Sequence, residues 1–465
     1  MSLRFIQTIT AALILFLCSC KKEGFITSSD ARISVTDSIK FDTVFTTTGS
    51  VTKSFKIINE NDQKINFSTI KLAGGNSSPF SININGIPAI ERSNIEVAAN
   101  DSIYVFVSVR INPGTSNLPF IINDSILITY NGINRYVQLE AFGQKATFLR
   151  NVVLTGNNTW IKDMPYVILG SLRIDTNAVL TIPAGTKIYL HADAPLLVDG
   201  SLILNGTVSE KIVFRGDRLD EPYRNFPAGW PGIYVRGASK NNVFTFAEIR
   251  NANQAIVVSG PSTNANPKLI MNQVIIDNAF DAGLLFSNSH VSVSNSLISN
   301  CRNNIIIQAG GVYNLTHCTV AAYSTSFITH SKPVLSVSDV GLVNGVETIR
   351  ALNAVFRNCI FWGENNSVNQ EVIVNKQGSL LFSVTMDHCL YKSDVDPLNT
   401  QLQSVIKNID PLFDTIDYAN QVFNFRTNNP LAAGINKGVA TNLVKDLDDN
   451  ARSVGVPDLG CYEKQ

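Results

Sequence analysis

A short run of alternating aliphatic and polar residues, closed by a turn, recurs from residue 151 to residue 428, and this repetition limits the fold more than any other feature. Val167-Ile168-Leu169-Gly170-Ser171-Leu172-Arg173-Ile174 is echoed by Leu197-Val198-Asp199-Gly200-Ser201-Leu202-Ile203-Leu204. Between them lies Leu180-Thr181-Ile182-Pro183-Ala184-Gly185. Weaker copies follow at Asn272–Ile276, Val291–Ile298, Tyr313–Val320, Asn358–Phe361 and His388–Tyr391. No single unit can bury its own apolar side, so the units must stack, which is the logic of a solenoid. Alternation sends every second side chain inward, and main-chain hydrogen bonds join one rung to the next about 4.8 Å away. A narrow interior suits small residues, which accounts for Cys301, Cys318, Cys359 and Cys389 at matching points of the repeat.

Residues 33–145 read differently. Ser54–Ile58, Phe80–Ile84, Ser102–Val109 and Ser125–Tyr130 alternate strictly, and Asn85-Gly86 and Asn131-Gly132 are hairpin signals. Strands of this size, with no helical pattern between them, predict a β-sandwich of about seven strands. Ahead of it, Arg4, the apolar run Ile9–Leu17 and then Leu17-Cys18-Ser19-Cys20 have the layout of a secretory signal. The apolar run is shorter than the roughly 20 residues a membrane span needs. The expected division is a leader over 1–20, a tether over 21–32, a sandwich over 33–145, a coil over 150–430 and a capping tail over 431–465.

Several of these segments resemble known families. Leu17, Ser19 and Cys20 resemble the lipobox of bacterial lipoproteins, which implies lipidation at Cys20 and a cell-envelope location. Lys22-Glu23 partly resembles the export signal that sends such lipoproteins to the outer face of the outer membrane. The stretches Phe41–Phe45 and Asp101–Val105 resemble the immunoglobulin-like sandwich of Bacteroidetes surface lipoproteins. The repeat resembles the right-handed parallel β-helix of pectin-lyase-like proteins, which implies an all-β chain of sandwich followed by solenoid. Asp410–Phe413, Asn429–Gly434, Asp446–Arg452 and Pro457–Glu463 resemble the ending of many extracellular bacterial β-helix proteins. A solenoid end leaves an unpaired rung, so this tail reads as a cap.

Chemistry is sparse. Lysine plus arginine equals aspartate plus glutamate at 37 each, so no basic face is available for nucleic acid. The asparagine-threonine-aspartate, paired-aspartate and glycine-histidine-glycine motifs of polygalacturonase-like hydrolases do not occur within the repeats. Five cysteines follow Cys20, with no closely spaced pair of the zinc type. His317 and His388 each precede a cysteine and read as equivalent turn residues. One loop concentrates charge and aromatics: Asp217, Arg218, Asp220, Glu221, Tyr223, Arg224, Phe226 and Trp230. As a site, its rings would stack on sugars and its charges would bind hydroxyls. As a cover, Trp230 would be the plug and the charges would pair with one another. Asp446, Asp448 and Asp458 are the one metal candidate, a structural calcium, although Ala451 stands where an EF-hand needs glycine. No other cofactor is expected. The expectation is a membrane-anchored lipoprotein presenting a non-catalytic rod to a glycan or a surface protein. The alternative is a polysaccharide lyase or glycosidase of the same fold.

Overall fold

A computed structural model describes residues 24–45, 50–111, 120–343, 345–364, 368–453 and 456–465. The leader, Cys20 and Lys22-Glu23 lie outside the described residues. The described residues are all-β apart from two single-turn 3₁₀ segments, and the chain divides into two units at Lys145 and Ala146.

The first unit holds two five-stranded sheets. One runs in the order Ile33–Ser34, Lys53–Asn59, Ser102–Val109, Phe80–Ile84, Ile87–Pro88. The other runs Ser38–Phe45, Ile133–Gln144, Phe120–Tyr130, Ile65–Leu72, Glu91–Val97. All pairings are antiparallel except that of Ser38–Phe45 with Ile133–Gln144. Alternation places Ile57, Ile82, Val105 and Val107 of one sheet in the same buried cluster as Phe41, Phe67, Ile128 and Leu139 of the other. Both hairpin signals form. Asn85 and Gly86 have φ of 50° and 85°, Asn131 and Gly132 of 46° and 78°, which is the turn that matches strand twist. The sheets hold ten strands against the seven expected, because short edge pieces such as Ile33–Ser34 and Ile87–Pro88 pair too.

The second unit is built on one parallel sheet of 26 strands, wound so that strands pair with their counterparts one repeat later, and it carries two small antiparallel hairpins besides. Three ladders result. The first passes through Leu196–Val198, Ile233–Val235 and Gln254–Ser259 to Val372–Asn375. The second passes through Val179–Pro183, Ser201–Asn205, Asn242–Thr245 and Leu269–Asn272 to Gln401–Gln403. The third passes through Lys187–Leu190, Ile212–Gly216, Ala247–Arg250, Ile275–Asp277, Leu297–Ser299, Thr319–Ala322 and Ile360–Gly363 to Ile406–Lys407. Inward positions stack in register: Ile249, Ile276, Ile298, Val320 and Phe361 are all buried. The four repeat cysteines are buried free thiols in the same interior.

The corner between second and third ladders is one residue in the left-handed region. Phe246, Gln273, Asn295, His317, Asn358 and His388 occupy it in successive coils, with φ between 45° and 58°. Asparagine tolerates that conformation best among residues with a side chain. The two histidines are therefore turn residues.

The tail lies against a side of the coil. Paired coil strands end at Lys407, and the rest of the chain packs back along the outer side of the third ladder. There Leu447, Leu459, Cys461 and Tyr462 cover Leu297, Ala321, Ile360, Trp362 and Leu390. These residues stack in register on the outward side, and exposed they would form an apolar patch of the kind soluble surfaces avoid. Gln273 Nε2 donates to Asp446 O (2.7 Å), Cys461 N to Thr319 Oγ1 (3.0 Å) and Val439 N to Asn358 Oδ1 (2.9 Å). Arg452 and Glu463 form a fully buried ion pair (3.2 Å), and Arg452 also binds Asn295 Oδ1 at 2.8 Å. A buried pair of this kind is tolerable only with further hydrogen bonds, which Ser453 N and Asp458 N donate to Glu463.

Candidate functional site

The charged loop, 217–232, is an insertion between the third-ladder strand Ile212–Gly216 and the first-ladder strand Ile233–Val235. Its charges are spent on near neighbours. Asp217 Oδ2 lies 2.8 Å from His191 Nδ1, and burial pushes the Asp217 carboxyl up against the opposing pull of His191. Arg218 binds Asp220 through two hydrogen bonds of 2.8 and 2.9 Å and lies 3.9 Å over the Tyr223 ring. Arg224 pairs with Glu221 at 2.5 Å. Tyr223 packs on Phe226, and Phe226 packs on Phe327 of a later coil at 4.9 Å. Of the two readings of Trp230, ring for a sugar or plug, the structure matches the plug. It has no exposed surface, stacks near Phe214, and its Nε1 donates to Arg250 O (2.9 Å). A ring buried this way offers no face to a sugar, and its size drew it into the core.

Beside this loop the tail stops covering the third ladder, and a cleft opens. It consists of two cavities of about 470 and 310 Å³ that share Arg250, Asp277, Asn300, Gln421 and Phe423. Its floor is the outward column of the third ladder, where Arg250 stands in register with Asp277, and Asp277 with Ser299. Asn225 of the charged loop, Phe327, and Phe423 of the hairpin Thr415–Asp417/Val422–Asn424 also line the cleft.

Arg250 sits between two carboxylates. Its Nε lies 2.6 Å from Glu248 Oε1 and its Nη1 lies 3.3 Å from Asp277 Oδ2. Burial opposes the charge on Arg250, yet Asp277 and Glu248 hold its guanidinium above the usual range. Burial likewise pushes the Asp277 carboxyl up, although Arg250 and the Ser299 hydroxyl (2.7 Å) pull it down. Asn278, nine-tenths buried, donates Nδ2 to Asn225 O and Asn251 Oδ1, both at 2.9 Å. Its Oδ1 is shielded and has no hydrogen-bond partner. An orphaned buried acceptor costs about 1–3 kcal/mol and asks for a donor. The cleft thus presents fixed cationic donors, carboxylate and amide acceptors, and two phenyl rings at its edges.

The three tail aspartates do other work. Asp446 accepts from the backbone amides of Asp448, Asn450 and Glu463 at 2.7–2.9 Å. Asp458 accepts from those of Asn436 (2.7 Å) and Lys464 (2.8 Å). Asp448 binds Arg426 through two hydrogen bonds. They tie the tail together, and among the described residues no three acidic, histidine or cysteine side chains gather as metal ligands.

Glu248 and Arg250 share one strand, but Asp277 comes from the next coil, so no sequence motif joins the three. The signal that finds them is the repeat itself: once Ile249 and Ile276 are aligned as inward residues, Arg250 and Asp277 fall side by side outward.

No protein-family model and no curated protein matches this chain. Among solved structures it is similar to a family 123 glycoside hydrolase from Clostridium perfringens, studied for glycolipid glycan hydrolysis. Identity there is 10% and TM-score 0.18, over 24% of this chain and only 25% of that one. It is also similar to the catalytic domain of a GH87 α-1,3-glucanase in complex with nigerose, at 9% identity and TM-score 0.19, over 77% of this chain and 87% of that one. Likeness at this level carries no argument about activity.

Proposed function

We propose that this chain is a glycan-binding lipoprotein of the bacterial cell envelope, anchored through Cys20, of the Bacteroidetes surface type. In this reading residues 33–145 are an immunoglobulin-like sandwich and the wound sheet is a right-handed parallel β-helix. Two antiparallel-rich sheets sharing one core support the former, and the three-ladder pairing supports the latter. The observation that carries the function is the cleft, with Arg250 held between Glu248 and Asp277 while Asn278 Oδ1 lacks a donor. Sugars supply hydroxyls that both donate and accept, and an apolar face that suits Phe327 and Phe423. A glycan array probed with the full chain tests this. Binding that Arg250→Ala weakens at least tenfold is expected, and binding indifferent to Arg250 rejects the cleft. Membrane attachment is read separately, by partition into detergent phase that Cys20→Ser abolishes.

A second reading, glycoside hydrolysis, is favoured by one observation. Glu248 and Asp277 flank a single guanidinium, and Asp277 retains its proton to higher pH than an ordinary aspartate. Hydrolysis needs two carboxyl groups about 5–9.5 Å apart, one of them protonated. A reducing-sugar assay on every glycan bound decides between the readings. Product that vanishes in Asp277→Asn makes the protein a hydrolase, and binding without product makes it a receptor.

A further inference from the structure

We propose a second sugar-binding site, on the outer face of the sheet that contains Ser102–Val109. Strict alternation along that strand buries Ile103, Val105 and Val107, and sends Tyr104 and Phe106 outward. The outward neighbours in register are polar. Ser54 lies across from Phe106 on one side and Asn83 on the other, and Lys56 lies across from Tyr104. Two large rings are out of place in such a row. Tyr104 is 43% and Phe106 38% exposed, so the folded unit leaves much of their apolar surface in water.

The rings are ordered. Their centroids are 5.8 Å apart with planes within 19°, and the Lys56 ammonium lies 4.9 Å from the Tyr104 ring. A second observation points to a ligand. Asn83, beside Phe106, has a shielded amide oxygen with no hydrogen-bond partner. A group arriving there must bring a hydroxyl or N–H donor and an apolar face in the same few ångströms. A pyranose ring does both: its axial hydrogens present the face, and its equatorial hydroxyls reach an amide, a serine and an ammonium.

The site is independent of the cleft, which belongs to the other unit. Two weak sites on one chain raise retention on a polymeric glycan well beyond either alone. The test is affinity electrophoresis of the full chain through gels containing β-glucan, mannan, xylan or hyaluronan. Retardation in at least one gel is expected. Tyr104→Ala/Phe106→Ala is expected to weaken it about tenfold, to a degree that Arg250→Ala in the cleft does not reproduce on the same polysaccharide. Phe106→Leu keeps bulk and loses the ring, so it reads the same loss should the double variant fail to fold. Unchanged retardation in a folded variant overturns the proposal, as does a parent chain that no gel retards. A parent dimer that the double variant dissolves, seen by sedimentation, assigns the face to a second copy and overturns it equally. None of these results touches the cleft, which stands or falls on Arg250.

Discussion

The outer side of the third ladder is one surface with two fates. At Ala321, Ile360, Trp362 and Leu390 its outward residues are aliphatic or aromatic, and the tail packs on them. At Arg215, Glu248, Arg250 and Asp277 they are charged, and those side chains line an open cleft. Backbone pairing is the same throughout. What differs is the side chain at one position in two, so coverage and function are allotted by the outward half of the alternation alone.

Substitutions in the two stretches should behave oppositely. The largest effect is expected from Trp362→Ala beneath the tail, a loss of about 3–5 kcal/mol in chemical denaturation. A loss below 1 kcal/mol would mean the tail does not seal that stretch. Arg452→Met leaves Glu463 buried without its cation and is expected to cost about 3 kcal/mol. Hydrogen exchange should show the loss in the tail first, with Ile249 and Ile276 in the coil interior still protected.

His317 tests the seam between tail and coil by pH. Burial, then the nearby Arg452 charge, pushes its imidazole down to about 3. Its Nε2 faces Asn358 Nδ2 at 2.9 Å, a bond that the neutral ring accepts. Only the unfolded chain takes up the proton near the ordinary value of about 6.5. Stability is therefore full above that pH and falls as the pH drops towards the folded value. His317→Asn suits the left-handed corner and should flatten this acid limb at little cost near pH 7. An unchanged limb would place the proton elsewhere.

The smallest effect on stability is expected in the open stretch. Asp277→Asn should alter unfolding by under about 1 kcal/mol, because a part-exposed ion pair is worth little, while glycan binding drops at least tenfold. Wild-type stability should also sink as pH rises past the ordinary aspartate range, since the raised Asp277 carboxyl prefers its proton in the folded state. Asp277→Asn removes that slope.

Much of this was legible in the chain. The echo between Val167–Ile174 and Leu197–Leu204 marks the winding, and Asn295 and Asn358 mark its corners. Both rest on rules a few residues long: period two for strands and the tolerance of asparagine for positive φ. The charged loop was legible as an insertion whose charges could pair with one another, and its distant partners were not. Asp217 meets His191 from the preceding coil, and Phe226 meets Phe327 from a much later one.

Local alternation thus determined that this chain would wind into stacked parallel strands with small thiols and aliphatics inside, because burial of every second residue is decided within each strand. Where the tail would lie, and that Arg250 would stand between Glu248 and Asp277, only the tertiary structure decided. The contact of Arg250 with Asp277 and those of Arg452 with the coil join residues 27 and 157 positions apart, and their register depends on how many residues each intervening loop spends before the next coil begins.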